Sequence, residues 1–321
     1  MVLNARILGT GSYLPEKMVS NTDLSKIVDT DDEWIFSRSG IRNRHIAAES
    51  QTTSDMALQA AIKALEAAEV QPASLGGIIV ATTTPDLTFP STAALVQAKL
   101  GIETTCLAFD IQAVCSGFVY ALATANGFFK AGADKPFLVI GAEKMSSILN
   151  WDDRTTCVLF GDGAGAVVLG PTSDNSDGIL STHLHADGRY SEMLQTAGGP
   201  SSSGDVGHLT MQGREVFKFA VDAMSGAVKE ALQANNLSAD DIDWMVPHQA
   251  NIRIIEATAK KLDMPMSRVV TTLENQGNTS AASIPLALDH AVRSQDIQRG
   301  QTLLLEAMGG GFTWGAALIR Y

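Results

Sequence analysis

The sequence predicts an α/β fold built from two similar halves, and three observations lead to this prediction. Short, continuous apolar runs at 78–81 and 137–140 are typical of parallel strands that are buried on both faces of a sheet. Segments with helical periodicity, such as 52–68, alternate with these runs along the chain. The order of strands and helices in the first half recurs in the second half, which indicates an internal duplication.

The first half, 1–172, is predicted to alternate strands with helices. Start and stop signals give several bounds, because residues 30–33 fit a capping box and Gly40 and Gly101 each follow the last residues of a helix. The predicted strands are 5–8, 78–81, 106–111, 137–140 and 163–169. The predicted helices are 34–39, 52–68, 91–100 and one that begins at Cys115.

The second half, 173–321, repeats this order. The predicted strands are 179–184, 244–247, 269–272, 302–307 and a last one that ends at Ile319. The predicted helices are 216–232, 251–262 and 280–292. Residues 186–207 are rich in Gly, Ser and Pro and predict a long surface loop. In the duplicated register, strand 269–272 corresponds to 106–111, which puts Cys115 close to the equivalent of Asn278.

Composition excludes several classes of function. The chain has 321 residues and a formal net charge of −12, which is unfavourable for a general nucleic-acid binder. No apolar run approaches the roughly 20 residues that a membrane span needs, and residues 1–7 lack the pattern of a secretory signal. Three cysteines, an odd and sparse number, favour free thiols in a reducing compartment. We therefore expect a cytoplasmic protein that binds neither nucleic acid nor a membrane.

Cys115 stands out because it lies between a predicted buried strand and a predicted buried helix. The first turn of a helix offers unpaired N–H groups and the positive end of the helix dipole. A thiol at that point is expected to have a lowered pKa, which is one way to make a nucleophile. The same residue also fits a small buried cysteine that only fills space, and this stretch alone leaves both interpretations open.

Two further polar residues, His248 and Asn278, are predicted to lie at similar strand-to-helix junctions. Cysteine can carry an acyl group as a thioester, and histidine and asparagine can donate hydrogen bonds to a carbonyl oxygen on which negative charge develops. The glycine turn 309–311 can bring backbone N–H groups close to an acyl oxyanion. The three segments together predict acyl-transfer chemistry.

Six motifs resemble the β-ketoacyl-acyl-carrier-protein synthase III family, the initiating condensing enzymes of type II fatty acid synthesis in the thiolase superfamily. They are found in the family's order at 9–15, 32–35, 160–166, 247–251, 277–283 and 309–315. The resemblance covers nearly the whole chain. It implies a thiolase-like fold of five αβαβα layers, a homodimer, and Cys115 as nucleophile with His248 and Asn278 completing the triad.

The resemblance also implies a two-step mechanism. Cys115 takes the acyl group of an acyl-CoA primer, with acetyl-CoA the expected one, while the N–H groups of Cys115 and Gly310 hold the oxyanion. Malonyl-acyl carrier protein then loses CO2, and a neutral His248 together with Asn278 stabilises the enolate. The products are a 3-ketoacyl-acyl carrier protein, CO2 and CoA. The coenzyme A thioester is a substrate, and we expect no metal and no redox cofactor.

Substrate contacts follow from the resemblance as well. Trp34 and Arg154 are expected to enclose the CoA adenine, and Arg38 to contact the phosphates. The expected pantetheine tunnel is formed by Met211, Gly213, Phe217, Ala250 and Asn251. Phe89 is expected to close the acyl pocket of the partner subunit. Without the resemblance, Trp34 fits a helix-face anchor and Phe89 fits core or dimer packing.

Five basic residues stand out on an acidic chain and predict a docking surface for acidic acyl carrier protein. This basic patch consists of Arg214, Lys218, Arg253, Lys260 and Lys261. The alternative is an ordinary solvated helix face. Two motifs that suggest other ligands are interpreted as structural: 161–165 precedes a strand and lacks a phosphate-loop lysine, and His183 and His185 have no third metal ligand.

Two other functions remain open at this point. A related thiolase-superfamily ketide synthase or acyltransferase of secondary metabolism would keep the triad and change the acceptor. A non-catalytic acyl-binding protein on the same scaffold would have no need of Cys115, His248 and Asn278 together. Pocket residues and the basic patch distinguish the first alternative, and retention of the triad argues against the second.

Overall fold

A computed structural model describes residues 3–321, so Met1 and Val2, which the predicted first half included, lie outside the described residues. The strands in chain order are β1 (Asn4–Tyr13), β2 (Lys17–Ser20), β3 (Asn43–Ile46), β4 (Gly77–Ala81), β5 (Leu107–Ile111), β6 (Phe137–Glu143), β7 (Gly163–Thr172), β8 (Gly178–Ala186), β9 (Leu194–Gly198), β10 (Val206–Met211), β11 (Trp244–Pro247), β12 (Thr302–Gly309) and β13 (Thr313–Arg320). The helices are α1 (Asn21–Leu24), α2 (Asp32–Ser39), α3 (Thr53–Ala68), α4 (Thr92–Lys99), α5 (Gly117–Lys130), α6 (Gly213–Ala234), α7 (Ile252–Lys261), α8 (Leu273–Gln276) and α9 (Ser283–Arg293).

Two main sheets confirm the predicted duplication. The first has the order β1-β7-β6-β4-β5, and the second has the order β11-β12-β13-β8. In the first sheet β4 runs parallel to β5 and β6, and β7 runs antiparallel to β6 and β1. In the second, β11 runs parallel to β12, and β13 runs antiparallel to β12 and β8. Neighbouring strands β4-β6-β7-β1 of the first sheet therefore correspond, in the same order and direction, to β11-β12-β13-β8 of the second.

Helices fill the layers around these sheets. Helices α3 and α4 bury one face of the first sheet, where Met56, Val96 and Ile78 belong to one apolar core. Helices α5 and α9 lie between the sheets, where Phe118 and Ile284 share a core with residues of both. Helices α6 and α7 cover the outer face of the second sheet. This arrangement confirms the five-layer αβαβα architecture.

The predicted strand 269–272 is wrong. Only an isolated parallel bridge between Met245 and Val269 is formed there. The side chain of Gln249 provides the physical reason, because it takes hydrogen bonds that a fifth strand would otherwise make. Its Oε1 accepts the Thr272 N–H at 2.8 Å, and its Nε2 donates to the Val270 carbonyl at 3.1 Å.

Three other bounds also need correction. The predicted loop 186–207 contains β9 and the start of β10, which pair as a hairpin because Leu194 and Leu209 are drawn into the core. Helix α2 is capped by Asp31, whose carboxylate accepts the Trp34 N–H at 2.7 Å, so residues 30–33 form no capping box. The segment 280–282 is a 3₁₀ turn that precedes α9.

Close approach of the second half to the first sheet depends on Gly141 in β6. A Cβ atom there would overlap the carbonyl of Ala281 in the 3₁₀ turn 280–282. This contact brings that turn over the end of β6, beside the start of α5. Among the helices of residues 3–321, none is both long and apolar enough to cross a bilayer.

Candidate active site

The predicted site residues from both halves meet at one cavity of about 380 Å³. Ten of them line it: Trp34, Arg38, Cys115, Met211, Gly213, Phe217, His248, Ala250, Asn251 and Asn278. Arg253 of the basic patch lines it as well. Arg154, Gly310 and Phe89 lie outside the lining. The triad is therefore assembled from elements that are far apart in sequence.

Cys115 is presented by a tight turn rather than by the first turn of a long helix. It lies in the 3₁₀ turn Val114–Ser116 immediately before α5. Val114 has a φ of +49°, in the left-handed region that β-branched residues rarely adopt. A Cβ atom on Gly309 would lie 2.6 Å from the Cys115 nitrogen, so glycine is required where the end of β12 meets the nucleophile. Gly310 follows directly in the same turn.

The expectation of a lowered Cys115 pKa is wrong for this structure. Burial raises the pKa of the thiol to about 12, and the nearby charge of Glu143 acts in the same direction, while a hydrogen bond to Ser280 opposes both. The residue is only 5% exposed, so loss of hydration outweighs the benefit of the helix start. Cys115 is therefore a neutral thiol at pH 7, and its proton must leave as the sulfur attacks.

His248 is held as a neutral hydrogen-bond donor. It follows β11, and its backbone N–H donates to the Glu306 carbonyl at 2.8 Å. Burial lowers its pKa to about 4, so the ring is uncharged at neutral pH. Nδ1 lies 2.6 Å from Ser283 Oγ, which also accepts the Gln249 N–H. Ser283 can thus donate its own proton to Nδ1, which leaves the proton of the neutral ring on Nε2.

Asn278 is fixed through its backbone and one side-chain atom. Its N–H donates to the Leu159 carbonyl at 2.9 Å, and its own carbonyl accepts the Gly161 N–H at 3.0 Å. Its Oδ1 accepts the Ser280 N–H at 2.9 Å, which directs the amide orientation. The segment immediately before Asn278 is the short helix α8 and not a strand, so the predicted strand-to-helix junction is a short helix followed by a 3₁₀ turn.

Positive charges surround Trp34 at the cavity mouth. The guanidinium carbons of Arg38 and Arg154 lie 4.7 Å and 5.1 Å from the centre of its ring. Arg154 also donates to the Asp29 carbonyl at 2.7 Å. Asn251 caps α7 and donates to the Arg38 carbonyl at 2.9 Å, which connects α7 to α2. An aromatic face flanked by guanidinium groups suits a flat base that carries phosphates.

Sequence reasoning missed most of the apolar cavity wall. These residues are Ile35, Val158, Leu159, Phe160, Leu194, Val216, Ala220, Met224, Ile254 and Met308. Most of them occupy apolar positions of helices and strands, where a wall residue has the same pattern as a core residue, and Val158, Leu159 and Phe160 lie in a turn segment before β7. Leu194 lies in a strand that was predicted as loop. Three of them carried a usable signal, because Ile35 and Phe160 lie in the motifs 32–35 and 160–166 and Met308 lies immediately before the glycine turn.

The predicted basic patch divides into two groups. Arg214 and Lys218 lie on the exposed side of the start of α6, and Arg253 is exposed at the start of α7. Lys260 and Lys261 lie at the opposite end of α7, and Lys261 is paired with Asp222. Phe89 is 83% exposed, and Leu87 beside it is 50% exposed. Their exposure leaves an apolar loop on the surface of the single chain.

Glu306 is a second buried acid that the sequence analysis overlooked inside an apolar strand. Neither carboxyl oxygen has a hydrogen-bond partner among residues 3–321, and burial raises its pKa to about 8. Between pH 4.5 and about pH 8, Glu306 keeps its proton in the folded chain, whereas it has released that proton in the unfolded chain. The free energy of unfolding of the protein therefore decreases as the pH rises through that window, because the folded state must either keep this proton or bury a charge.

The Glu306→Gln variant is accordingly expected to gain stability relative to the parent as the pH rises from 5 to 8.5. Glutamine carries no proton to lose, so any fixed cost of the substitution is the same at both pH values. The difference in unfolding free energy between Glu306→Gln and the parent should change by about a few kcal/mol, in favour of the variant, between pH 5 and pH 8.5. Thermal unfolding at the two pH values measures it, with exposed Glu215→Gln as control. An unchanged difference would contradict a neutral Glu306.

Comparison with known proteins gives consistent matches over the full chain. A family model described as "3-Oxoacyl-[acyl-carrier-protein (ACP)] synthase III" matches residues 109–188, and its C-terminal counterpart matches residues 232–321. The chain is 61% identical to a protein of Xylella fastidiosa named "Beta-ketoacyl-[acyl-carrier-protein] synthase III", covering 99% of this chain and 98% of that protein.

Solved structures are similar as well. The 3-oxoacyl-acyl-carrier-protein synthase III of Aquifex aeolicus is 48% identical, with a TM-score of 0.94 over 99% of this chain and 100% of that one. A priming β-ketosynthase from a polyketide biosynthetic pathway is 35% identical, with a TM-score of 0.93 over 99% of this chain and 96% of that one.

Proposed function

The chain belongs to the 3-oxoacyl-acyl-carrier-protein synthase III family, and we propose that Cys115, His248 and Asn278 carry out its reaction. It is an acyltransferase that condenses an acyl-CoA primer with malonyl-acyl carrier protein and so initiates fatty acid synthesis. The observation that carries the proposal is the convergence of a thiol, a neutral imidazole and an oriented amide on one cavity.

In the first step the acyl-CoA enters from the Trp34 end of the cavity, where Trp34 and Arg154 enclose the adenine and Arg38 contacts the phosphates. The pantetheine arm follows the apolar wall to Cys115. The sulfur attacks the thioester carbonyl, and the backbone N–H groups of Cys115 and Gly310 hold the oxyanion. The bond to the CoA sulfur then breaks, and the acyl group remains on Cys115.

In the second step malonyl-acyl carrier protein brings its thioester to the same cavity and loses CO2. The enolate oxygen accepts hydrogen bonds from His248 Nε2 and Asn278 Nδ2, the two donors left free by their other contacts. A neutral imidazole suits this role, because a buried cation would first have to be desolvated. The carbanion attacks the acyl-Cys115 thioester and yields 3-ketoacyl-acyl carrier protein.

This chemistry is complete without a metal or a redox cofactor, because decarboxylation itself supplies the carbanion. We place the reaction in the cytoplasm. The homodimer is supported by β5, an edge strand of the first sheet with Leu107 46% exposed, and by the exposed Phe89 loop. Phe89 would close the acyl pocket of the partner subunit.

Carrier-protein docking is tested by reversing a charge outside the cavity. Arg214→Glu should raise the KM for malonyl-acyl carrier protein several-fold, because the patch steers an acidic partner. The KM for acyl-CoA should stay near its parent value. Arg253 lines the cavity and is less suitable for this test. Lys229→Glu, which changes an exposed lysine of α6 outside the patch, is the matched control. Equal effects on both substrates would count against docking.

The primer is expected to be acetyl-CoA, and the ketide synthase of secondary metabolism is the second candidate. Identity of 61% to a protein named "Beta-ketoacyl-[acyl-carrier-protein] synthase III", against 35% to a priming β-ketosynthase of a polyketide pathway, favours the condensing enzyme over the ketide synthase. Peptide mass spectrometry after exposure to a panel of acyl-CoA thioesters tests the proposal. An acetyl group on Cys115 supports it, and acylation confined to another residue would refute it.

A further inference from the structure

A buried acid lies beside the nucleophile but outside the cavity lining. Glu143 ends β6 and is fully buried. Its carboxylate accepts hydrogen bonds from five donors at 2.7 to 3.2 Å: Thr82 Oγ1, Thr83 N, Thr83 Oγ1, Thr84 Oγ1 and Ser280 Oγ. Every partner can donate, which suits an ionised carboxylate. Burial raises the pKa of Glu143, and the hydrogen bonds from Thr84, Thr83 and Ser280 oppose the increase.

A hydrogen-bonded path connects this acid to the nucleophile. Cys115 Sγ donates to Ser280 Oγ at 3.6 Å, and Ser280 Oγ donates to Glu143 Oε1 at 3.1 Å. Ser280 adopts a φ of +50°, and the hydrogen bond from its N–H to Asn278 Oδ1 holds it in place. Lys144, which follows Glu143 in the sequence, does not pair with it, because its ammonium donates to the carbonyls of Ala48, Glu49 and Gln51.

The other polar groups of the cavity are poorly suited to take the Cys115 proton. His248 Nδ1 is engaged by Ser283, its Nε2 carries a proton, and its pKa is about 4. Asn278 has no basic atom. A neutral thiol that attacks a thioester nevertheless has to release its proton, and Ser280 is the acceptor it already contacts.

We propose that Ser280 and Glu143 form a relay that stores the Cys115 proton for as long as Cys115 carries the acyl group. As the S–C bond to the acyl group forms, the thiol proton moves to Ser280 Oγ and the Ser280 proton moves to Glu143. CoA leaves as a thiolate and takes a proton from water. In the condensation the Cys115 thiolate is released, and the stored proton returns to it through Ser280. The proposal rests on Cys115 being the nucleophile.

Storage has a measurable consequence. Free CoA is a thiol with a pKa near 8.5, so at pH 7 the released thiolate is protonated from solvent. If the enzyme keeps the Cys115 proton, acylation takes up about one proton from solution for each Cys115 acylated at this pH. If that proton goes to CoA or to water, the net uptake is zero. Either result can be measured on the intact enzyme.

The experiment mixes the enzyme with acetyl-CoA in weak buffer at pH 7, follows an indicator dye, and counts acetyl-Cys115 by mass spectrometry. The parent should take up about one proton per acetyl group. Glu143→Gln and Ser280→Ala should lose the uptake and acylate more slowly. Ser116→Ala is the matched control, because it removes a buried hydroxyl next to Cys115 that bonds Ala113 and Thr313 instead.

Full acylation of the parent without proton uptake would overturn the relay and leave the nucleophile intact. Absence of acetyl-Cys115 would overturn both this inference and the proposed function. If the Glu143 or Ser280 variant fails to fold, the parent and Ser116→Ala measurements still decide between storage and release.

Discussion

The Cys115→Ala variant is expected to lose condensation activity by at least about three orders of magnitude, because the acyl group then has no covalent carrier. Alanine fits the buried Cys115 position without strain, because it is apolar and smaller than cysteine. The fold should therefore survive, and thermal unfolding can verify that it does. Initial rates with acetyl-CoA and malonyl-acyl carrier protein measure the effect.

The other two cysteines provide the control for this prediction. Cys106 is partly exposed and Cys157 is buried, and both are free thiols outside the cavity lining. Cys106→Ala should therefore retain near-parent activity. Loss of activity in Cys106→Ala, or ordinary turnover by Cys115→Ala, would contradict the assignment of the nucleophile.

His248→Ala is expected to lower the rate of decarboxylative condensation by about two to three orders of magnitude, because one of two donors to the enolate is lost. Asn278→Ala should have an effect of similar size. Both variants should still be acylated at Cys115, since neither residue holds the first oxyanion. Decarboxylation of malonyl-acyl carrier protein and acyl transfer from CoA are measured separately.

The separation of the two steps is the informative feature. His290→Ala, an exposed histidine on α9, is the matched control and should leave both steps unchanged. If His248→Ala lost acylation as strongly as condensation, His248 would have to act as the base for Cys115. That result would contradict its assignment as a neutral donor.

Much of the fold could be predicted because local patterns agree with the tertiary structure. The apolar runs at 78–81 and 137–140 are buried on both faces, as their composition requires. The strand predicted at 269–272 failed because the Gln249 side chain, distant in sequence, takes its hydrogen bonds. The hairpin β9–β10 was hidden by turn residues that flank two short strands.

The polar centre of the site was predictable, whereas its environment was not. Cys115, His248 and Asn278 lie in recognisable motifs, so their convergence could be predicted from the family resemblance, although the strand at 269–272 that placed Asn278 in the duplicated order is absent. The pKa of Cys115 is raised mainly by burial, which depends on the packing of the whole fold around the thiol. The position of Cys115 near the start of a helix, which the sequence does indicate, carries no information on that burial. Glu143 and Glu306 could not be identified as buried, because each is a single acid, one at the end and one in the interior of an apolar strand.

Label transfer in a single turnover tests the central claim most directly. Enzyme acylated with radiolabelled acetyl-CoA is freed of excess CoA and mixed with malonyl-acyl carrier protein. The account predicts that the label leaves Cys115 and appears in 3-ketoacyl-acyl carrier protein at the rate at which CO2 is released. Label that stays on Cys115 while CO2 is released and unlabelled product accumulates would contradict it.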